Sequence, residues 1–285
     1  TDVILTSIEF DHADIYRDLD HVKSAFAKLM DIIPAHGNLI VCNDYPVALA
    51  VAQGARARRV TNGDDGDWTA ADIQFRQGRS YFAPTYKGKS DGVLGAAVIG
   101  RHNVKNAMAV YALGRALGLA PERLREGFAT FKGVKRRQEV RGEQGGVLVI
   151  DDFAHHPTAV RETIEAVRLA YAGRRLWAIF EPRSNTSKRN IFEREFAAAL
   201  ALADKVIVAA VHQPEKVPEG ERLSVDNLVR EINRLASAAR AEAIEPAAAI
   251  ATHVGRRAQS GDVVLVMSNG GFDGVHEKIL QALVV

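Results

Sequence analysis

Apolar runs alternate with amphipathic stretches throughout the second half of the chain. The runs are rich in β-branched residues, which is typical of strands buried on both faces. They are Val147 to Ile150, Leu176 to Phe180, Val206 to Val211 and Val263 to Met267. Helical periodicity follows each of them, in His156 to Ala170, Ile191 to Ala203, Val225 to Ala239 and Phe272 to Leu283. This alternation predicts a doubly wound α/β domain, with a parallel sheet between two layers of helices.

The first half has a less regular pattern. Buried strands are predicted at Val3 to Ile8 and Leu39 to Cys42, with a helix from Ile15 to Met30 between them. Two shorter and more polar runs, Ile73 to Arg76 and Tyr81 to Ala83, lie beyond Gly-containing turn signals and predict antiparallel strands at a sheet edge. The remaining helices are predicted at Val104 to Leu117, Pro121 to Phe131 and the alanine-rich Ala236 to Ala251.

Length and composition place the chain among ordinary globular proteins. It has 285 residues, of which 47% are hydrophobic and 25% charged, and this excludes disordered and fibrous classes. The length suggests two domains, and we place their boundary in the basic stretch Lys132 to Arg141, giving domains of residues 1–132 and 133–285. A net charge of +2 gives no reason to expect nucleic-acid or membrane-surface partners. The single cysteine, Cys42, and the lack of a long apolar run fit a cytoplasmic protein.

Two polar clusters in the first half carry candidate chemistry. Glu9 to Asp14 follows the opening strand, where its oxygens and His12 could hold a divalent cation; the alternative is a polar loop with helix-capping acids. Gly100 to Asn106 stands at the entrance of a helix. Asn103 and Asn106 are three residues apart and share a face, and their amides offer the donors and acceptors that an adenine edge needs. The alternative is that Asn103 caps the helix.

The second half contributes three more clusters. Lys135 to Arg137 could bring an arginine to a phosphate, or could be a solvated basic run. Asp151 to Pro157 contains two carboxylates and two imidazoles. This combination suits proton transfer, and it suits a helix cap equally well. The spacing typical of zinc ligands is lacking, which argues against zinc. Glu181 to Ser187 and Ser268 to Gly271 follow two buried strands, where backbone N–H groups could hold an anion.

Taken together, these strings resemble the Mur ligase family of ATP-dependent amino-acid and peptide ligases. The generic family features are Glu9 to His12, His102 to Asn106, Arg137 and Asp152 to Pro157. The strings Glu181 to Thr186 and Val266 to Phe272 are more specific, because they resemble the members that add a peptide rather than a single L-alanine.

The resemblance implies a fold and a reaction. Residues 1–132 would be the back part of the central ATPase domain, and residues 133–285 a Rossmann-like C-terminal domain. With ATP and Mg²⁺, such an enzyme converts the lactyl carboxylate of UDP-N-acetylmuramate into an acyl phosphate. The amine of the murein tripeptide L-Ala-γ-D-Glu-meso-diaminopimelate then attacks, in a reaction of murein recycling.

The resemblance also assigns roles to individual residues. It implies His12 as a magnesium ligand, Asp152 as the contact to the ribose hydroxyls, and Arg137 as a contact to the ATP phosphates. Either His155 or His156 would orient or deprotonate the incoming amine. Adenine contacts are implied for His102, Asn103 and Asn106, and tripeptide contacts for Arg183, Ser184, Asn185, Thr186 and Asn269.

The chain departs from the family in one respect. It contains no Gly-rich Lys-Thr phosphate loop, and the metal-binding glutamate expected shortly before the His12 motif is missing. We therefore expect the chain to be a fragment that is inactive alone. Two alternatives remain: a family member specific for L-alanine or a glutamate chain, and a non-catalytic nucleotide-binding protein.

Overall fold

The computed structural model describes residues 1–76, 78–235 and 240–284. In it the chain folds into two compact units, residues 1–132 and 133–285.

The first unit combines parallel strands with an antiparallel edge. Its described strands follow the order β1-β2-β3-β4-β5-β6, with β7 beside β5. The strands β1 to β3 are parallel, whereas β5 runs antiparallel to β4, β6 and β7. This confirms the antiparallel edge predicted from the sequence. The bounds are β1 (Val3–Leu5), β2 (Asn38–Cys42), β3 (Arg58–Asn62), β4 (Trp68–Arg76), β5 (Arg79–Tyr86), β6 (Lys89–Ser90) and β7 (Leu94–Ala96).

Helices enclose this sheet and build two cores. Residues of α1 and α2 pack on Leu5, Leu39 and Val41, while α3 packs on Ile40, Trp68 and other residues of a second cluster. Since side chains alternate along β2, these two clusters lie on opposite faces of the sheet. The bounds are α1 (Leu19–Ile32), α2 (Pro46–Ala52), α3 (Arg101–Ala116) and α4 (Pro121–Thr130).

Several predicted bounds in this unit are wrong; β4, for example, begins at Trp68 rather than Ile73. The strand predicted to reach Ile8 ends at Leu5, because its pairing with β2 ends there, opposite Val41. The helix predicted from Ile15 begins only at Leu19, because the Asp18 carboxylate accepts a 2.8 Å hydrogen bond from the His21 N–H and caps the first turn.

The second unit is built on a mostly parallel sheet. Its described strands follow the order β12-β11-β10-β13-β9-β8, and only β8 is antiparallel to its neighbour. The strands predicted at Leu176–Phe180 and Val263–Met267 have the predicted bounds. The bounds of all six are β8 (Glu139–Gln144), β9 (Val147–Asp152), β10 (Leu176–Phe180), β11 (Lys205–Val208), β12 (Arg240–Ala243) and β13 (Val263–Met267).

Helices cover both faces of this sheet. Residues of α8 and α9 pack on Val149, Ile179 and Val266, while the alternate residues of the same strands are buried on the opposite side, where α5, α6 and α7 adjoin. The doubly wound fold predicted from the sequence is thereby confirmed. The bounds are α5 (Pro157–Ala170), α6 (Glu193–Leu200), α7 (Val225–Leu235), α8 (Ala247–Arg257) and α9 (Val275–Ala282).

The alanine-rich segment is the main error of the sequence prediction here. A helix was expected from Ala236 to Ala251, but residues 240–243 form the edge strand β12 and the helix begins at Ala247. The Asn233 side chain holds this strand, since it both donates to and accepts from the backbone of Ala241. Residues 236–239, with the end of the helix predicted to reach Ala239, lie outside the described residues. The strand predicted to reach Val211 ends at Val208, opposite the end of β10 at Phe180.

Candidate functional site

Three strands of the second unit end at the same level. Phe180 at the end of β10 pairs with Met267 of β13, which pairs in turn with Asp152 of β9. The backbone stays linked one residue further, since Glu181 N–H donates to the Met267 carbonyl and Ser268 N–H donates to the Asp152 carbonyl, both at 3.1 Å. The loops that carry most of the candidate residues therefore start side by side at one edge of the sheet.

The Arg183 side chain lies against Gly270, which follows β13. A Cβ atom placed on Gly270 would come within 1.9 Å of Arg183 Nε, so the guanidinium occupies the space that a larger residue would fill. Arg183 Nη1 also lies 3.6 Å from a carboxylate oxygen of Glu181 and 3.5 Å from His212 Nδ1. The side chain is only partly buried. A guanidinium held in this way can present its remaining N–H groups to a ligand carboxylate.

Asn269 brings an acceptor to the same place. Its Oδ1 atom is buried and has no hydrogen-bond partner among the described residues. The backbone on both sides of it is fixed by Arg136, whose Nη2 donates to the carbonyls of Ser268 at 2.7 Å and Gly270 at 2.6 Å. A buried amide oxygen without a donor is unfavourable unless a ligand supplies one, such as an amine.

The loop after Arg183 is shaped by its own serines. Ser184 and Ser187 exchange hydrogen bonds of 2.8–2.9 Å between their hydroxyls and backbone N–H groups. Thr186 is buried, at 1% exposure, and Asn185 is exposed. Ser184 thus holds the loop together as an ST-turn residue would. Direct ligand contacts by Ser184, Asn185 and Thr186 stay predictions.

Asp152 is turned into the protein. One of its carboxylate oxygens accepts from Ala154 N–H at 2.7 Å and Thr163 Oγ1 at 3.3 Å, and the other accepts from Gln138 N–H at 2.9 Å. Burial raises the pKa of this carboxyl to about 6, against the lowering effect of these donors and of Arg137. The geometry makes Asp152 an anchor for residues 136–138, and its contact with a ribose stays a prediction.

Residues of the basic stretch and one of the two histidines contact Phe153. Arg136 and Arg137 both stack on its ring, at 5.0 Å and 5.1 Å, and the Arg137 side chain is otherwise exposed. His155 meets the same ring edge-on and contacts the Phe153 carbonyl through Nδ1 at 2.9 Å. His156 turns away to the ring of Phe192. The two imidazoles therefore have separate environments, and a role in amine deprotonation stays a prediction for each.

In the first unit, the residues predicted to contact adenine lie on the first two turns of α3. The helix is preceded by Gly100 at φ 94°, a conformation that suits glycine, and Asn103 is its third residue. The alternative of Asn103 as the helix cap is therefore wrong. Its Nδ2 donates to the Ile99 carbonyl at 3.0 Å, and Asn106 Nδ2 lies 3.5 Å from Asn103 Oδ1, so the two amides do share a face. Burial lowers the pKa of His102 to about 4, which keeps its imidazole neutral.

His12 is exposed on the loop after β1, in a left-handed conformation with φ 53°. Among residues 1–76, 78–235 and 240–284, no group of three or more His, Cys, Asp or Glu side chains is arranged to hold a metal ion. The residues present therefore do not form a complete magnesium site. His12 could supply one ligand at most.

Several residues at these strand ends were missed by the sequence reasoning. Arg136 was treated as part of a basic run, although it fixes the loop around Asn269. In the first unit, Asn43 and Asn62 follow β2 and end β3, and each has a buried Oδ1 without a partner in the described part of the chain. The sequence could have indicated these two residues, because Asn43 follows a predicted buried strand and Asn62 ends the strand that pairs with it.

The two halves of the chain match two domains of one protein family. The Mur ligase middle domain matches residues 2–114, and the Mur ligase glutamate ligase domain matches residues 136–270. The chain belongs to the Mur ligase family. No helix within the described residues has the length and apolar composition needed to cross a bilayer.

Individual relatives divide between two names. The chain is similar to the UDP-N-acetylmuramate–L-alanyl-γ-D-glutamyl-meso-2,6-diaminoheptandioate ligase of Escherichia coli K12, with 35% identity over 99% of this chain and 59% of that protein. It is also similar to the UDP-N-acetylmuramate–L-alanine ligase of Desulfitobacterium hafniense Y51, with 31% identity over 98% of this chain and 61% of that protein. The chain thus spans about three-fifths of the length of these Mur ligases.

Solved structures agree with the fold. The murein peptide ligase of Psychrobacter arcticus matches with a TM-score of 0.66 and 29% identity, over 99% of this chain and 57% of that one. The family assignment therefore rests on both the sequence and the arrangement of the strands.

Proposed function

We propose that this chain supplies the amino-substrate site, and part of the nucleotide site, of an ATP-dependent, ADP-forming ligase. The ligase joins L-Ala-γ-D-Glu-meso-diaminopimelate to UDP-N-acetylmuramate in murein recycling. In this proposal residues 1–132 are the back part of the central ATP-binding domain, and residues 133–285 are the C-terminal domain that receives the peptide. The relative from Escherichia coli carries the name of this activity, and the family membership supports a ligase of this class.

The observation that carries the proposal is the guanidinium of Arg183 over Gly270, beside the Oδ1 of Asn269, which has no hydrogen-bond partner in the part of the chain that the structure describes. The tripeptide bears several carboxylates together with a free amine. Arg183 can donate two parallel hydrogen bonds to one carboxylate, and Asn269 can accept from the amine. A cation and an acceptor at the carboxyl ends of adjacent parallel strands match this combination of groups.

The chemistry assigns tasks to the chain's own residues. A carboxylate oxygen of UDP-N-acetylmuramate attacks the γ-phosphorus of ATP, ADP leaves, and the peptide amine then displaces phosphate from the acyl phosphate with loss of a proton. Arg183 and Asn269 orient the amine for that attack. His155 or His156 receives the proton, and Asn103 and Asn106 hold the adenine through their amides. His12 would hold Mg²⁺ as one ligand of a site completed by other groups, and the bound ion would neutralise charge on the ATP phosphates.

A second candidate is a ligase for L-alanine, since relatives of similar identity carry that name. The difference lies in the charge of the amino substrate. L-alanine has a single carboxylate, which one guanidinium can hold, whereas the tripeptide bears several.

Titration calorimetry with the 285-residue chain separates the two candidates. We expect the tripeptide to bind and L-alanine to give no measurable heat. Arg183→Ala should raise the dissociation constant for tripeptide by roughly tenfold to a hundredfold, because a hydrogen bond to a charged group contributes about 1.5–3 kcal/mol. Arg183→Lys should be impaired as well, since lysine lacks the planar fork.

Arg230→Ala is the matched control, because Arg230 is an exposed residue of α7 whose Nη1 donates to Asn227 of the same helix. It should leave the affinity unchanged. Binding of L-alanine in place of the tripeptide would favour the second candidate. An Arg183→Ala protein that binds tripeptide like the unaltered chain would remove the observation on which the proposal rests.

A further inference from the structure

Lys188 is a lysine that is buried at this sheet edge. It lies in the loop after β10 and is 4% exposed. The backbone on both sides is fixed, since Lys188 N–H donates to the Ser184 carbonyl at 3.1 Å and its own carbonyl accepts from Leu223 N–H at 2.9 Å. Lysine is almost never buried to this extent without a partner. Its position five residues beyond Arg183 places it on the loop that carries the proposed peptide site.

The surroundings of this ammonium are cationic. Burial is the main cause that lowers the pKa of Lys188, and repulsion from Lys216 adds to it. Arg183 and Arg189 lower the pKa further, while Glu215 opposes them. The carboxylates near those arginines are already engaged, since Glu221 pairs with Arg189 and Glu181 accepts from Ser268.

The ammonium has no ion pair or hydrogen bond to any residue of the described ranges 1–76, 78–235 and 240–284, and its Nζ atom keeps some contact with solvent, since it is not one of the fully enclosed polar atoms that lack a partner. A buried cation without a counter-charge costs folding free energy. Groups of this kind are found where a ligand supplies the opposite charge.

We infer that Lys188 binds a carboxylate of the incoming amino substrate, a second one beside the carboxylate held by Arg183. The inference rests on the proposed function for the identity of that substrate. The two cations suit different tasks. The planar fork of Arg183 grips one carboxylate in two parallel hydrogen bonds, while the ammonium of Lys188 is a compact charge that meets another from a buried position. A peptide with several carboxylates can use both sites at once.

The test replaces charge without removing volume. Lys188→Met keeps an unbranched side chain of similar length and removes the ammonium. Lys216→Met is the matched control, because Lys216 is an exposed lysine on the neighbouring loop. In titration calorimetry with the 285-residue chain, we expect Lys188→Met to weaken tripeptide binding by roughly tenfold to a hundredfold, and Lys216→Met by less than about twofold. Lys188→Arg should recover part of the affinity.

A second measurement separates binding from folding. Removing an uncompensated buried charge should leave the melting temperature of the unliganded protein unchanged or raise it, as is common where a binding site is retained at the expense of stability. Tripeptides amidated singly at each carboxylate identify the group involved. One of these amides should weaken binding to the unaltered chain but cause no further loss of affinity in Lys188→Met. The carboxylate replaced in that peptide is the one that Lys188 holds.

The outcomes keep the two proposals apart. If the unaltered chain binds tripeptide and Lys188→Met binds it equally well, the inference fails while the proposed function stands. If the chain binds only L-alanine, the proposed substrate is wrong, and the Lys188 inference fails with it, because L-alanine has no second carboxylate. Lys188→Met weakening the binding of inorganic phosphate alone would overturn the inference, and a chain that binds neither amino substrate would overturn both.

Discussion

A single contact between Arg183 and Gly270 shapes the proposed peptide site. The guanidinium rests on the glycine because no Cβ is present, so the site depends on the smallest residue of its loop as much as on the cation. Asn269 and Lys188 add an acceptor and a charge whose partners are lacking in the described part of the chain. Groups of this kind reduce stability on their own, which is typical of a binding site rather than a core.

Gly270→Ala tests this contact. The new methyl group would displace the Arg183 side chain, whose far end can swing away, so we expect little loss of stability but a loss of tripeptide affinity similar to that of Arg183→Ala. Gly271→Ala is the control, since nothing lies within 4 Å of a Cβ at that position. The two changes should not add in the double variant Arg183→Ala, Gly270→Ala. Additive losses would mean that Gly270 acts independently of Arg183.

Asp152 makes a prediction for stability against pH. Its pKa is raised by burial to about 6 from an ordinary value of 3.8, so the folded state holds the proton more tightly than the unfolded state. The stability that this proton contributes is present below pH 4 and is lost as the pH rises through 6. Urea unfolding from pH 4 to pH 7 should show the unaltered chain losing up to about 3 kcal/mol relative to Asp152→Asn. A constant difference across that range would contradict the raised pKa.

At the scale of elements, two strands that are buried on both faces could be predicted together with their ends, whereas the edge strand could not. Leu176–Phe180 and Val263–Met267 are buried on both faces, so every position is apolar and the pattern itself marks both ends. The edge strand β12 has no such pattern, because alanine side chains suit a helix equally well. Pairing with β11 and the amide of Asn233 decide that segment, and neither is visible in a local window.

Two helix glycines give a prediction at this scale. Gly127 in α4 has open space around it, with nothing within 4 Å of where a Cβ atom would lie, so Gly127→Ala should raise the free energy of unfolding by roughly 0.5–1 kcal/mol through helix propensity alone. Gly114 in α3 packs on Leu124 of α4, where a Cβ would lie 2.5 Å from Leu124 Cδ2. Gly114→Ala should therefore gain less, or lose stability, because the clash offsets the same propensity gain. Urea denaturation measures both, and equal gains would contradict this packing.

For the whole molecule, the sequence makes a prediction about activity. The 285-residue chain has no Gly-rich Lys-Thr phosphate loop, and its described residues offer no complete metal site. We expect it to release no phosphate from ATP above background, with Mg²⁺, UDP-N-acetylmuramate and tripeptide all present, because charge at the transferring phosphate would not be neutralised. A chimera that adds the preceding residues of the Escherichia coli relative is the positive control. Magnesium-dependent turnover by the chain alone would contradict the expectation.

The sequence by itself determined the class of fold, the resemblance to the Mur ligases and the strings at the strand ends. Those features are local, since buried parallel strands and the loops that follow them are written in consecutive residues. It also placed Asn103 and Asn106 on one face and Arg183 at the ligand edge of the sheet.

Only the tertiary structure decided what these side chains meet. Asp152 is directed inward by donors from residues 138, 154 and 163. Ser184 forms its hydrogen bonds within its own loop. Arg183 contacts Gly270, which follows a strand far along the chain. The burial of Lys188 and the positive charges around it likewise depend on residues from more than one loop. Contacts between distant segments depend on how the strands are ordered in the sheet, and that order is set by the packing of the whole unit rather than by any local pattern of residues.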